Sequence, residues 1–176
     1  LRLITDSISE VFWITDARGE RVLYVSPAFR EVWGRDPEQL YREPRCWTEH
    51  IHAEDRPAVV EAFEGFLRGR CEFDAEFRIV RPDGEVRWIH DRGVRRGADG
   101  GGCLLVGLAR DITATKEAEL SLRESEARLK AAQRVAQVGS WEIDLDTGAV
   151  TGSEEAGRIY GLEGSGVTVD RIRDIP

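Results

Sequence analysis

Residues 72–80 alternate without a break, with Phe73, Ala75, Phe77 and Ile79 on one side and Glu72, Asp74, Glu76 and Arg78 on the other. A period of two with one apolar and one charged face belongs to an antiparallel strand buried on a single side. A chain holding such a strand must build a sheet and cover one face of it. Arg81-Pro82-Asp83-Gly84 follows at once, a turn in which Pro presets one torsion and Gly accepts another, so residues 85–94 are expected to run back as the partner strand.

The same logic finds a hairpin near the start. Val11–Thr15 and Val22–Val25 are bulky and branched, and the Asp16–Glu20 stretch between them carries Gly19. Residues 97–102 are expected as a flexible Gly-rich loop, and Cys103–Asp111 as a fifth strand. Between the hairpins the signals are helical. Ser26-Pro27 offers an N-cap and a first-turn Pro ahead of Ala28–Trp33, and Gly34 can end that helix. Asp36-Pro37-Glu38-Gln39 repeats the start signal, and Trp47–Ile51 can add a turn. After Asp55, Val59, Val60, Ala62, Phe63, Phe66 and Leu67 lay an apolar stripe on a longer helix that stops at Gly69. Leu1–Ser9 can form a short amphipathic lead-in. This order predicts an α+β fold, a five-stranded antiparallel sheet with helices on one face, followed by a long helix.

That last helix is expected over residues 113–138, where Glu, Ala, Arg, Leu and Lys dominate. Thr115, Leu122, Leu129 and Ala136 fall at one heptad position, and Ala118, Ser125 and Ala132 at its partner. Small residues bury little area, so the seam predicts a weak, adjustable coiled coil in a homodimer, with Ala118, Leu122, Ser125, Leu129 and Ala132 at its centre. The alternative is a single helix lying across its own domain.

Several of these pieces, in this order and spacing, resemble the PAS family over roughly residues 3–115. They are the opening hairpin with Asp16 and Gly19, Ser26-Pro27-Ala28-Phe29, Trp33-Gly34, Ile51-His52-Ala53-Glu54-Asp55-Arg56, Asp83-Gly84 with Arg87-Trp88, and Gly107 with Asp111-Ile112-Thr113. The resemblance implies a sensor domain over residues 1–112 with a C-terminal PAC-type motif, a signalling helix over 113–138, and the truncated start of a second copy over 139–176. In that second copy Trp141, Asp144, Thr147-Gly148, Ser153 and Tyr160-Gly161 echo the first. It also implies a multidomain parent, a sensor histidine kinase or cyclic-di-nucleotide enzyme, whose output domain lies further along. Asp111, Ile112 and Thr113 become the expected signal relay. A small-molecule pocket between the long helix and the sheet would be lined by Val25, Phe29, Trp33, Phe63, Phe77 and Trp88, unless these residues only fill the core. A ligand-free dimerisation module, paired through the N-terminal and linker helices, is the other reading.

Other chemistries find little support. A formal charge of -8 and a pI near 5.0 speak against nucleic acid, which needs a concentrated basic face. No apolar run is long enough to span a bilayer, and the absence of Met predicts a segment of a longer, cytoplasmic chain, although the parent could be membrane-anchored. Cys46, Cys71 and Cys103 are scattered and odd in number, as in a reducing compartment. No phosphate loop, paired-His helix, close Cys pair or Gly-x-Ser-x-Gly elbow is present, so the segment is expected to be non-catalytic. Some members of the resembled family hold haem or flavin. For haem, residues 56–68 contain no His, His50 and His52 precede the long helix, and His90 sits beside Asp91 and Arg92 on what reads as a polar, partly wet surface. For flavin, Cys46 is flanked by Arg45 and Trp47 and the chain has no Asn. Neither cofactor is expected.

Overall fold

The computed structural model describes residues 10–97, 102–161 and 167–168; the expected lead-in over Leu1–Ser9 and the centre of the Gly-rich loop lie outside them. Strands β1 (Val11–Asp16), β2 (Val22–Val25), β3 (Phe73–Val80), β4 (Val86–Gly97) and β5 (Cys103–Asp111) form one sheet in the order β2-β1-β5-β4-β3, antiparallel throughout. The last strand in sequence is thus central in space. It pairs on one side with the first strand and on the other with β4, so the sheet closes only when β5 docks.

Helices α1 (Ala28–Trp33), α2 (Glu38–Arg42) and α3 (Arg56–Leu67), with a 3₁₀ turn at Cys46–His50, cover one face. Their Phe29, Trp33, Val59, Phe63 and Phe66 meet Phe73, Phe77, Ile79, Ile89, Leu105 and Ala109 from the strands in a continuous core. At φ 66 Gly34 takes a left-handed conformation and its N–H caps the Arg30 carbonyl, a geometry that costs a Cβ-bearing residue about 1 kcal/mol or more. Ser26 does not cap α1. Its hydroxyl instead accepts from Phe12 N–H at 3.0 Å and donates to the Glu10 carbonyl, so the residue joins the two strands of the first hairpin to the helical layer.

The chain divides into two compact units, Leu1–Lys116 and Glu117–Pro176. The first runs past the boundary expected at 112 because Thr113 and Lys116 remain bound to the sheet. Helix α4 (Thr113–Ala136) leaves β5 with a single intervening residue, has no buried residue, and ends at Gln137, whose φ is 53. The second unit holds β6 (Trp141–Ile143), β7 (Ala149–Gly152) and β8 (Val167–Thr168), ordered β6-β7-β8, and helix α5 (Glu154–Ile159), which Ser153 caps by accepting Ala156 N–H. Among the described residues, no helix is long and apolar enough to cross a membrane.

Candidate functional site

A cavity of about 60 Å³ lies between the helical layer and the sheet of the first unit. Its walls are aromatic and aliphatic: Trp13, Phe29, Trp33, Trp47 and Phe63, with Val25, Leu40 and other small apolar groups. The rings hold one another in place. Phe29 stacks on Trp33 at 4.9 Å between centroids, and Trp47 meets Phe63 edge-on at 5.1 Å. The Trp13 ring lies over the paired glycines Gly93 and Gly107, where a Cβ on Gly107 would stand 2.1 Å from it. The two glycines form a floor that only a residue without a side chain can supply.

One charged group faces this chamber. Asp91 is 7% exposed and takes a hydrogen bond from Trp13 Nε1 at 2.9 Å. Burial pushes its carboxyl up to about 6, against the opposing pull of the Trp13 N–H and of His90, so it is mainly an anion at neutral pH. The expectation of a wet surface here holds for His90 and Arg92 and fails for Asp91. The period of two puts Ile89, Asp91 and Gly93 on the helix-facing side and Trp88, His90 and Arg92 on the other. Trp33 contributes an indole N–H that is buried without a partner among the described residues.

The expected liners divide accordingly. Val25, Phe29, Trp33 and Phe63 meet at the cavity. Phe77 is wholly buried beside Trp47 but does not reach the cavity, being absorbed by the core. Trp88 projects from the opposite face of the sheet, where Arg78 and Lys116 lie 5.6 and 5.4 Å from its ring. No His lines the chamber, and its volume is far below that of a haem or flavin. His50 is buried in the helical layer, its pKa held down to about 4 by desolvation and by Arg35 and Arg56, so it is neutral at pH 7. Cys46 is partly buried and its thiol is pushed up by burial and by Glu43 and Glu49, the opposite of an activated nucleophile.

Asp111, Ile112 and Thr113 lie together at the exit of β5. Asp111 Oδ1 accepts from Thr113 N–H at 2.9 Å and from its hydroxyl at 2.5 Å. Trp88 N–H donates to Thr113 Oγ1 at 3.0 Å, while Ile112 N–H donates to the Trp88 carbonyl at 2.8 Å. Arg87 pairs with Asp111 Oδ2 at 3.1 Å and reaches the Glu31 carbonyl in α1 at 3.4 Å. Arg81 donates to the carbonyls of Glu31 and Val32 at 2.6 and 3.1 Å. Lys116, one turn into α4, pairs with Glu76 on β3 at 2.7 Å. An unbroken set of polar contacts therefore runs from the last turn of α1, which carries the cavity liner Trp33, to the first turn of α4. In the expected seam, Leu122 and Leu129 are 61% and 60% exposed.

The family described as PAS fold matches residues 22–109. An uncharacterized protein of Sinorhizobium fredii, y4lL, is 29% identical over 141 residues, covering 80% of this chain and 17% of the relative. The methyl sulfide methyltransferase-associated sensor of Methanosarcina acetivorans is 32% identical over 120 residues, 67% of this chain and 12% of that one. Among solved structures, a sensory box histidine kinase/response regulator from Burkholderia thailandensis superposes with a TM-score of 0.55 at 28% identity, over 74% of this chain and 97% of that one. The chain thus spans less than a fifth of the curated relatives it matches.

Proposed function

The chain belongs to the PAS fold family, and on that footing we propose that it senses a ligand or partner at its helical face and passes the response along α4 to an output domain. PAS domains are sensory modules without catalysis of their own, and relatives of this chain include parts of a sensor and of a histidine kinase. The parent is a multidomain signalling protein of the cytoplasm, a sensor histidine kinase or cyclic-di-nucleotide enzyme. Residues 139–176 begin a second PAS repeat, and α4 pairs with its copy in a homodimer along Ala118, Leu122, Ser125, Leu129 and Ala132.

The observation that carries this reading is the route through Glu31, Arg87, Asp111 and Thr113. Any shift of α1 on filling or emptying the chamber pulls on Arg87, which also holds Glu85 and Asp111, the acid that caps the start of α4. A cap is worth about 1 kcal/mol, and a coupling of about 1 to 3 kcal/mol changes output several-fold. Asp111→Ala with Thr113→Ala should leave the first unit folded yet break coupling in the full-length parent; output that still follows its stimulus would refute the relay. In sedimentation, the dimer expected of residues 1–138 should dissolve on Leu122→Glu with Leu129→Glu. The small chamber favours a second reading, a ligand-free dimerisation module. Native mass spectrometry of freshly purified protein separates the two, because a retained small molecule favours sensing.

A further inference from the structure

Five aromatic side chains and one buried carboxylate face the same small cavity: Trp13, Phe29, Trp33, Trp47 and Phe63 around Asp91. Removing a carboxylate from water is costly unless its charge is met by a cation or by several donors. Asp91 has neither among the described residues. It receives one hydrogen bond, from Trp13 Nε1, and forms no ion pair. His90, which favours its charge, points from the opposite face of the sheet. The remaining acceptor capacity of Asp91 meets no donor among the described residues. The aromatic walls add to the same demand, because ring faces carry negative potential and attract cations most strongly where water is excluded.

We propose that the chamber binds a small alkylammonium ion, its N–H groups donating to Asp91 and its alkyl part held against the aromatic walls. The proposal deepens the sensory reading above and rests on it. Neither an anion nor a plain hydrocarbon fits the chemistry: the first would be repelled by Asp91, and the second would leave the carboxylate unmet. Size narrows the class further. A cavity of about 60 Å³ is under half of the ~150 Å³ that takes benzene, so the ligand has only a few heavy atoms. For so small a ligand, a ceiling of about 1.5 kcal/mol per heavy atom sets the tightest Kd for three heavy atoms near 1 mM.

The test is a titration of the 1–176 chain, labelled at its tryptophan indoles with ¹⁵N, at pH 7.5 and constant ionic strength. Ethylammonium chloride, ethanol and sodium acetate serve as cationic, neutral and anionic probes of similar size. Ethylammonium should shift the Trp13 and Trp33 indole resonances saturably in the millimolar range, at least ten-fold more tightly than ethanol, with acetate inert. Asp91→Asn should lose that preference at least ten-fold. Ethanol binding as well as ethylammonium would overturn the ammonium assignment while leaving a sensing chamber intact. No saturable shift with any probe would overturn both the assignment and ligand sensing at this cavity. Should Asp91→Asn fail to fold, the cation-to-neutral ratio in the unaltered chain decides alone.

Discussion

Ser26 and Ser153 stand at the same point of the two units and share one reciprocal pair of bonds in different surroundings. In the first unit, Phe12 N–H donates to Ser26 Oγ at 3.0 Å and Ser26 N–H returns a bond to the Phe12 carbonyl at 2.9 Å. In the second, Ser140 N–H donates to Ser153 Oγ at 3.0 Å and Ser153 N–H to the Ser140 carbonyl at 2.8 Å. Asp16 and Asp144 each take two backbone N–H groups in the turn that follows, with Gly19 and Gly148 at φ 65 and 69. Yet Ser26 is wholly buried, whereas in the second unit Ile143 is 56% and Leu145 93% exposed. The shared bonds are short-range and follow from local residue types. Burial is not: β1 is covered because β5 pairs with it from far along the chain and α3 lies on the same face.

The largest effect expected from this difference lies in a glycine under a tryptophan. Gly107 is paired with Trp13, and Gly152 with Trp141. An added Cβ at Gly107 meets the Trp13 ring at 2.1 Å and the Arg92 carbonyl at 2.6 Å, and neither can retreat because Asp91 and Phe63 hold the ring. Gly107→Ala should cost about 3 kcal/mol or more, as overpacking does where nothing can yield. At Gly152 the Cβ meets the far edge of Trp141, 2.5 Å away but only half-buried and able to turn outward. There Gly152→Ala should cost about 1 kcal/mol or less. Urea unfolding of each unit's own transition checks both values, and equal losses would mean that the second unit is as tightly packed as the first.

A pH effect of similar origin should be confined to the first unit. The Asp91 pKa is raised to about 6 in the folded chain. Its contribution is therefore fully present below the unfolded value near 4, and is lost as pH rises through 6. His50 has the opposite sign. With its pKa lowered to about 4, it favours the fold above its unfolded value near 6.5, and that contribution disappears as pH falls toward 4. The two largely offset each other between pH 6.5 and 4. Asp91→Asn uncovers the His50 loss, so the variant should fall behind the unaltered chain by about 2 to 3 kcal/mol on going from pH 7 to pH 4. Urea midpoints across that range decide it, and parallel curves would show that Asp91 does not titrate as a buried acid.

Much of this fold is legible in the chain. The 72–80 alternation becomes β3 with Phe73, Phe77 and Ile79 inward, and Pro82-Asp83-Gly84 turns it into β4. Such signals survive because a strand's period and a turn's torsions are properties of neighbours in sequence. The chamber was only half legible. Phe63 and Trp33 declare themselves as large apolar residues on helices, but Asp91 does not, since a carboxylate between His90 and Arg92 reads as surface. What marks it inward is the spacing Ile89, Asp91, Gly93, and what tolerates it there is an indole N–H 78 residues away. Trp88 misleads for the complementary reason: its size speaks for the core, while Arg78 and Lys116 cover it on the other side of the sheet.

The smallest effect returns to the two serines. Ser26→Ala removes the acceptor for Phe12 N–H and leaves that donor between β1 and the helical layer, at a site with no exposure for water to replace it. The stranded donor costs about 1 to 3 kcal/mol. Ser153→Ala removes acceptors for two N–H groups, Ser140 and Ala156, so counting bonds alone would make it the worse substitution. Exposure reverses that order. Ser140 is itself exposed, so water can take over its N–H, and what remains is the buried Ala156 N–H in the first turn of α5, the loss of an ordinary helix cap at about 1 kcal/mol. Hydrogen exchange offers the sharper readout: in Ser26→Ala the Phe12 amide should exchange faster together with its neighbours in β1, whereas in Ser153→Ala the change should stay with Ser140 and the first turn of α5. An equal spread in both would mean that the second unit has a cooperative interior of its own, and the contrast between a shared local pattern and an unshared core would no longer hold.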